Sequence, residues 1–352
     1  MNPAIEFDRV SIVFGDRPEQ ALPLMDRGAT RAEVQAATGQ TLGVHDCSLA
    51  VTEGEIVVLM GLSGSGKSTL LRAVNGLNRV VRGTVRLRDG DRMVPVTGAD
   101  AATLRRLRRQ RVAMVFQQFG LLPWRTVAEN VGLGLELSGL PAPERARRVA
   151  QQLDLVGLSQ WADRAVADLS GGMQQRVGLA RAFATEAPVL LMDEPFSALD
   201  PLIRTRLQDE LLDHQRRLRR TILFVSHDLD EAFRLGNRIA LMEEGRIVQT
   251  GTAQDIIARP ASPYVAEFVA HMNPLDVFTA RDVMGAGLVA DGAPIPPDMP
   301  LREVMARLVT VEGALPVAEN GLRIGAVTRD GILRRLSDRS ASGRAPSGGL
   351  SP

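Results

Sequence analysis

The chain has 352 residues, of which 45% are hydrophobic and 24% are charged, and its formal net charge is +1. This composition predicts a globular protein with one large and one small domain, and the balanced charge gives no reason to expect a nucleic-acid partner. The single cysteine, Cys47, excludes an intramolecular disulfide and a multi-cysteine metal site, and the sequence contains neither a secretory signal nor an apolar run of about 18 residues that would span a bilayer.

The first strands are separated by an insertion. Apolar patterning predicts strands at 4–14, 44–51 and 55–60. Phe14 ends the first strand, where it could stack on an adenine ring or simply pack against its neighbours. Between the strands, residues 19–41 contain a capping box at Thr30–Glu33 and a helix stop at Gly39, which together predict a short helix.

The segment after residue 60 has the pattern G-x-x-x-x-G-K-[ST] between an apolar strand and a helical stretch, which is the context of a phosphate-binding loop. Its backbone N–H groups and the following helix dipole favour phosphate oxygens. Lys67 is expected to reach the β- and γ-phosphates, and Ser68 to offer its hydroxyl to Mg²⁺. Lys67 is the only lysine among 42 basic residues, so a chance glycine-rich turn is the weaker interpretation. The candidate nucleotide-binding residues here are Gly61, Ser63, Gly64, Ser65, Gly66, Lys67, Ser68 and Thr69.

The middle of the chain contains further predicted elements. Residues 83–96 are predicted to form a β-hairpin, and an apolar strand at 112–116 ends at Gln117. Leucines three residues apart in the basic segment 104–111 predict a helix whose arginines form a solvated face, with a nucleic-acid patch as the alternative. Residues 126–168 are rich in helix formers and predict a helical insertion. Breaks are expected at Pro141 and Pro143.

Polar residues follow two later apolar strands. The strand at 189–192 leads into Asp193 and Glu194, at the edge where α/β sheets bind ligands. Asp193 can hold Mg²⁺ through its water shell, and Glu194 can accept a proton from an attacking water; an acidic loop without function is the alternative. His227 follows the strand at 221–225 and could touch a γ-phosphate. The other histidines are expected to be structural: His45, His214 and His271.

The order of the motifs resembles that of the ATP-binding subunit of an ABC transporter over residues 4–270. Ser170, Gly171 and Gly172 open a helix as a second phosphate-facing turn. The matching motifs are the phosphate loop 61–69, Gln117, the signature 169–176, the acidic pair 193–194, the loop 197–200 and His227. The resemblance implies an α/β fold, with a P-loop ATPase domain at 1–270, a mixed sheet and a helical subdomain at about 120–185. It also implies that two chains pair head to tail, with each ATP between one phosphate loop and the partner's signature.

The resemblance also implies individual roles. Glu194 is the catalytic base, His227 contacts the γ-phosphate, Gln117 couples the nucleotide site to a membrane partner, Asp200 makes a contact across the dimer, and Phe14 occupies the adenine-stacking position. The implied catalytic set is Glu194, His227, Gln117 and Lys67, and the implied Mg²⁺ set is Ser68, Gln117 and Asp193.

Within this family, residues 28–46, 60–66 and 113–117 are similar to those of importers of glycine betaine, proline betaine and choline. Such importers combine two ATPases with two membrane permease subunits and a substrate-binding protein. The resemblance therefore implies a peripheral protein on the cytoplasmic face of the inner membrane, with ATP and Mg²⁺ as cofactors and no nucleic-acid partner.

The C-terminal part, 271–336, resembles a single, truncated cystathionine-β-synthase-type (CBS) regulatory repeat of the α+β class. Its predicted pattern is a helix, strands at 314–318 and 323–328, and a second helix. Residues 277–284 resemble the opening of another repeat, but too few residues follow to complete it. The tail, 337–352, is rich in Ser, Gly, Arg and Pro and is predicted to be disordered.

Two alternatives remain at this point. One is an ATPase subunit of an importer of amino acids or another small solute. The other is a soluble ABC ATPase acting on nucleic acid or ribosomes; such proteins carry long coiled coils or two ATPase domains, whereas this chain has one phosphate loop and one signature.

Overall fold

The computed structural model describes residues 2–270, 272–286, 288, 290–311 and 313–342. The chain divides into two compact units between Ile247 and Val248, whereas the sequence-based domain boundary is at 270. His271 and residues 343–352 of the predicted disordered tail lie outside the described residues. The described part of that tail, 337–342, forms the end of the last helix.

The strands of the first unit form one antiparallel and one parallel sheet. They are β1 (Pro3–Phe14), β2 (Thr41–Thr52), β3 (Ile56–Met60), β4 (Arg82–Asp89), β5 (Arg92–Pro95), β6 (Val112–Val115), β7 (Val189–Asp193), β8 (Thr221–Val225) and β9 (Arg238–Glu243). The antiparallel sheet has the order β2-β1-β4-β5, and the parallel sheet within this unit has the order β9-β3-β8-β7-β6. A further strand, β10 (Arg246–Gly251), carries the chain into the second unit.

Helices surround these sheets in the first unit. They are α1 (Leu22–Asp26), α2 (Arg31–Thr38), α3 (Lys67–Ala73), α4 (Ala101–Gln110), α5 (Val127–Leu137), α6 (Ala142–Leu155), α7 (Gly171–Ala184), α8 (Pro201–Leu218) and α9 (Leu229–Leu235). Short 3₁₀ turns lie at Pro18–Ala21, Ser159–Trp161 and Val166–Asp168. Within the described residues, no helix is both long enough and apolar enough to cross a bilayer.

The parallel sheet determines where the functional residues meet. Every residue of β3, β7 and β8 is buried, as continuous apolar runs require when helices cover both faces of a sheet. Because parallel strands end at the same edge, β3, β8, β7 and β6 deliver the segments that follow them to one edge of the sheet. Those segments carry the phosphate loop, His227, Glu194 and Gln117.

The insertion between β1 and β2 folds as predicted. Thr30 and Glu33 form the capping box of α2, and Gly39 ends the helix in the left-handed conformation, with φ +69°. Met25 and Val34 are fully buried in a small apolar cluster that also includes Leu42 of β2. The insertion therefore has a core of its own.

Two predictions for the middle of the chain need correction. Pro143 does not break a helix: it lies in the first turn of α6, where a proline costs no hydrogen bond. The basic segment does form a helix, α4, but its arginines are not simply a solvated face. Arg106 and Arg111 pair with Asp89, and Arg108 donates to two backbone carbonyls after α3, because the end of the β4–β5 hairpin lies beside α4.

The second unit contains a small three-stranded sheet with the order β11-β13-β12. Its elements are α10 (Ala253–Ala258), α11 (Pro263–Phe268), a 3₁₀ turn at Pro274–Asp276, α12 (Ala280–Val283), β11 (Gly285–Ala286), α13 (Leu301–Thr310), β12 (Ala314–Glu319), β13 (Leu322–Thr328) and α14 (Arg329–Ser342). The helix–strand–strand–helix order predicted for the CBS-like repeat is present. Residues that the sequence assigns to the opening of another repeat instead lead into β11, which pairs with β13 of the same sheet.

Candidate nucleotide-binding site

An open cavity of about 550 Å³ lies in the first unit at the edge where the parallel strands end. Ten of the predicted site residues line it: Phe14, Ser63, Gly64, Gly66, Lys67, Ser68, Thr69, Gln117, Glu194 and His227. They come from five separate stretches of the chain, so the fold brings together motifs that are remote in sequence. The remaining lining residues are Arg31, Thr41, Leu42 and Gly43.

The phosphate loop has the backbone geometry that its glycines predict. Gly61 adopts φ +140°, and a Cβ atom at this position would lie 2.1 Å from the carbonyl oxygen of Met242, so only glycine fits. Lys67 Nζ donates to the carbonyl oxygens of Gly61 and Leu62 at 2.9 and 2.8 Å. Burial lowers the pKa of the Lys67 ammonium, whereas the nearby carboxylate of Glu194 raises it. The lysine is thus held against its own loop, ready for an anionic ligand.

A buried carboxylate lies next to the first turn of α3. Asp193 is fully buried, its Oδ1 accepts a hydrogen bond from Ser68 Oγ at 2.6 Å, and its Oδ2 accepts one from Arg72 at 2.9 Å. Among the described residues, no group of three or more His, Cys, Asp or Glu could hold a metal by itself. The oxygens of Ser68 and Asp193 form the kind of partial ligand set that Mg²⁺ uses together with phosphates and water.

The candidate base, Glu194, is held in an uncommon backbone conformation. Its φ of +48° lies in the left-handed region, which costs energy for a residue other than glycine and is one form of strain found at functional sites. The backbone N–H of Glu194 donates to the carbonyl of Val225 at 3.1 Å. The side-chain amide of Gln175, in α7, donates to the backbone carbonyl of Glu194, also at 3.1 Å. Its carboxylate accepts a hydrogen bond from Gln117 at 3.1 Å and lies 3.5 Å from His227 Nδ1. Glu194 therefore links the ends of neighbouring strands to the signature helix.

The buried carboxyl of Glu231 holds the turn that carries His227 through hydrogen bonds. Ser226 Oγ donates to Glu231 at 2.5 Å, and Gln208 donates to the other oxygen of Glu231 at 2.9 Å. Burial raises the pKa of the Glu231 carboxyl. Asp228 caps α9 by accepting from the N–H of Glu231 at 3.1 Å. The histidine itself stays exposed toward the cavity.

The structure does not bring every predicted residue to this cavity. Ser170 caps α7 by accepting from the N–H of Met173, and Asp200 caps α8 by accepting from the N–H of Ile203. Neither they nor Gly171 and Gly172 line the cavity of the chain that carries them. Gly61 and Ser65 shape the phosphate loop from outside the cavity lining.

Four contributors were given no site role from the sequence: Arg31, Arg72, Gln175 and Glu231, of which Gln175 lies within the signature 169–176. For Arg72 a signal existed, because it follows Ser68 by four residues on α3, and residues so spaced share a helix face. Both contact Asp193. His45 and His214 make structural contacts, His45 with Asp26 and His214 with the ring of Phe183.

The strand–loop–helix with a buried lysine and the two carboxylates at the adjacent strand end define a P-loop nucleoside triphosphatase. A family model described as "ABC transporter" matches residues 44–197. The chain is 48% identical over 279 residues to the glycine betaine/proline betaine transport system ATP-binding protein ProV of Salmonella typhimurium, covering 79% of this chain and 69% of that protein. It is 41% identical over 334 residues to the trimethylamine N-oxide transport system ATP-binding protein TmoW of Ruegeria pomeroyi, covering 94% and 96%.

Among solved structures, the ATP-binding cassette MJ0796 in its dimeric, post-hydrolysis state bound to ADP and phosphate is similar, with a TM-score of 0.61 and 28% identity. The similarity covers 70% of this chain and 98% of that cassette. The chain belongs to the ATP-binding proteins of the ABC transporters: it binds ATP and is an ATPase coupled to transport. The predicted family and the predicted ABC ATPase fold of the first domain are confirmed.

Proposed function

We propose that this ATPase energises the import of a small trimethylammonium solute, with trimethylamine N-oxide and glycine betaine as the first candidates. The observation that carries the catalytic part is the single cavity where Lys67 and the phosphate loop face Glu194 across the ends of neighbouring strands. Phe14 stacks on the adenine, the loop and Lys67 hold the phosphates, and Glu194 takes a proton from the attacking water. Gln117 and His227, both in contact distance of the Glu194 carboxylate, position that water and the γ-phosphate.

The residues present fit a Mg²⁺ ion that arrives with ATP. Ser68 and Asp193 offer adjacent oxygens, and the Gln117 amide offers a third on the neighbouring strand end, which is the hard-oxygen donor set that Mg²⁺ prefers. When bound, the ion neutralises charge on the β- and γ-phosphates. Arg72 donates to the second carboxylate oxygen of Asp193 and so orients the first toward Ser68.

The working unit is a pair of these chains. Ser170–Gly172 form a helix start with free backbone donors that the cavity of their own chain does not use. In a head-to-tail pair they face the phosphates bound by the partner chain, and Asp200 lies at the contact between the chains. The dimeric state of the similar cassette supports this arrangement.

A membrane permease subunit binds beside the nucleotide site. A largely apolar groove of about 320 Å³ is lined by Met114, Phe116, Leu133 and Leu137, and Phe116 directly precedes Gln117. The Leu137 side chain remains 52% exposed although it is apolar. An apolar segment of a permease bound in this groove would contact Phe116. Because Phe116 is bonded directly to Gln117, a shift of Phe116 would move Gln117 and so couple the permease contact to the nucleotide cavity. This placement puts the chain on the cytoplasmic face of the membrane as a peripheral subunit.

The extent of similarity supports the choice of solute. The relative named for trimethylamine N-oxide matches nearly the whole of both chains, including the second unit, whereas the relative named for glycine betaine matches 79% of this chain. Both solutes carry a trimethylated nitrogen. The predicted choline substrate shares that group and stays among the solutes to be tested, and a substrate-binding protein delivers the solute to the permease. The second unit is the candidate regulatory domain of the CBS type.

Uptake of labelled solutes in cells that lack this subunit tests the proposal. Cells are complemented with the wild-type chain or with Glu194→Gln, and uptake of trimethylamine N-oxide, glycine betaine, choline and an amino-acid mixture is measured. We expect the wild type alone to restore one trimethylammonium solute. Restoration of the amino acids instead would favour the alternative importer, and restoration of no solute would overturn the proposed substrate class.

A further inference from the structure

A second cation reaches the nucleotide cavity from the insertion between β1 and β2. Arg31, the first residue of α2, lines the cavity together with Lys67. Its guanidinium lies across the phosphate loop: a Cβ atom built on Gly64 would be 3.8 Å from Nη1, and one built on Gly66 would be 3.2 Å from Nη2. The two residues that flank Ser65 in the loop therefore both face this guanidinium.

The hydrogen bonding of Arg31 is incomplete within the described part of the protein. Nη2 donates to the carbonyl of Gly43 at 2.5 Å, and Nε is buried without a partner. No described residue accepts a hydrogen bond from Nη1. Burial lowers the pKa of this guanidinium and nearby Glu244 opposes the shift, but an arginine remains charged in either case. A partly buried cation with unused donors in a phosphate cavity needs an anion to complete it.

The insertion holds Arg31 in place before any ligand arrives. The capping box of Thr30 and Glu33 fixes the first turn of α2, and Val34 is fully buried one turn later. At the other end of the insertion, the two carboxylate oxygens of Asp26 accept hydrogen bonds from the two terminal nitrogens of Arg82 at 2.9 and 2.7 Å. An anchored side chain loses little conformational entropy when it binds, so its contacts contribute fully to affinity.

We propose that Arg31 is a nucleotide-binding residue that contacts the α- and β-phosphates of bound ATP and ADP, and that the insertion serves to place it. The position of Arg31 along the cavity determines which phosphates of the nucleotide it can contact. Gly43, to which Arg31 is bonded, lies against the ring of Phe14 at the base end, whereas Glu194 and His227 mark the γ-phosphate end. Arg31 lies between the base end and Gly64 and Gly66, next to the phosphates that ATP and ADP share.

Isothermal titration with ATP and ADP tests this inference, which rests on nucleotide binding at the cavity and not on the imported solute. Arg31→Met keeps much of the apolar stem and removes the charge and the donors. The matched control is Arg27→Met, an exposed arginine of the same insertion for which the described structure shows no side-chain contact. A charge-assisted pair of this kind predicts that Kd for both nucleotides rises by roughly tenfold or more in Arg31→Met, by the same factor for each, and stays within about twofold in Arg27→Met.

A second variant separates phosphate contact from support of the helix. Val34→Ala loosens α2 and lowers the melting temperature without removing the cation. If Arg31→Met lowers the melting temperature but leaves Kd unchanged, Arg31 only anchors the insertion and the inference is overturned. Because α2 places the cation, we expect Val34→Ala to raise Kd by less than Arg31→Met does, and that result supports the inference. A loss for ATP alone would place Arg31 at the γ-phosphate and overturn the assignment to the shared phosphates. A wild-type chain that binds neither nucleotide would instead contradict the nucleotide site itself.

Discussion

Replacing the candidate base by its amide is the most direct test of the catalytic geometry. Glu194→Gln keeps the size of the side chain and an oxygen that can accept the 3.1 Å hydrogen bond from Gln117. The backbone bonds that hold residue 194, to Val225 and from Gln175, do not involve the carboxylate. The substitution therefore removes proton acceptance and leaves the surrounding contacts in place.

The expected magnitude follows from the role. A positioned general base contributes roughly 10²–10⁴-fold to a rate, which corresponds to about 3–5 kcal/mol in the activation free energy. Binding of ATP depends on the phosphate loop and Lys67, so its Kd is expected to change by no more than about threefold, or under 1 kcal/mol. In the proposed cycle hydrolysis separates the paired chains, so we expect the variant to accumulate as an ATP-bound dimer.

Phosphate release measures the rate, and size-exclusion chromatography with ATP measures the dimer. The control is Glu186→Gln, since Glu186 also has a positive φ, of +53°, but pairs with Arg148 and does not line the cavity. It should hydrolyse ATP at the wild-type rate. Hydrolysis by Glu194→Gln within about tenfold of wild type would refute the assignment, because a base with this position cannot contribute so little.

The remaining predictions concern the groove, the loop and a buried carboxyl. Leu137→Glu should abolish uptake while ATP binding by the isolated chain is unchanged, because it places a charge in the apolar groove; Leu218→Glu, at another exposed leucine outside the groove, should leave uptake intact. Gly61→Ala should abolish ATP binding measured by titration, since its Cβ would clash with the Met242 carbonyl, and normal affinity would contradict the loop geometry. Burial raises the pKa of Glu231 above its ordinary value of 4.5, so the folded state holds the proton more tightly and ionisation costs stability as the pH rises through the folded pKa. The free energy of unfolding of Glu231→Gln relative to wild type, measured in urea between pH 4 and 8, should therefore increase with pH; a constant difference would exclude a raised pKa.

Local sequence patterns predicted the individual elements well. The apolar run of β3, the glycine turn and the start of α3 are all encoded within about fifteen neighbouring residues, and the capping box of α2 within four, because these features depend on contacts between near neighbours. The order of the motifs predicted the family, which the comparisons confirm. The prolines were harder to interpret, since the effect of Pro143 depends on whether it falls in the first turn or the middle of a helix.

The sequence by itself was enough to predict which residues would carry phosphate chemistry: the only lysine in the chain, the glycines around it and the carboxylates at a strand end. Only the tertiary structure decided which arginines join them, because almost every cation is an arginine and nothing local distinguishes one from another. Arg72 meets Asp193 across 121 residues, and Arg31 meets the phosphate loop only because the insertion has its own core. Which residues meet over such long sequence separations is set by the register of the sheets and by the packing of helices on them. A short window of neighbouring residues does not contain that information.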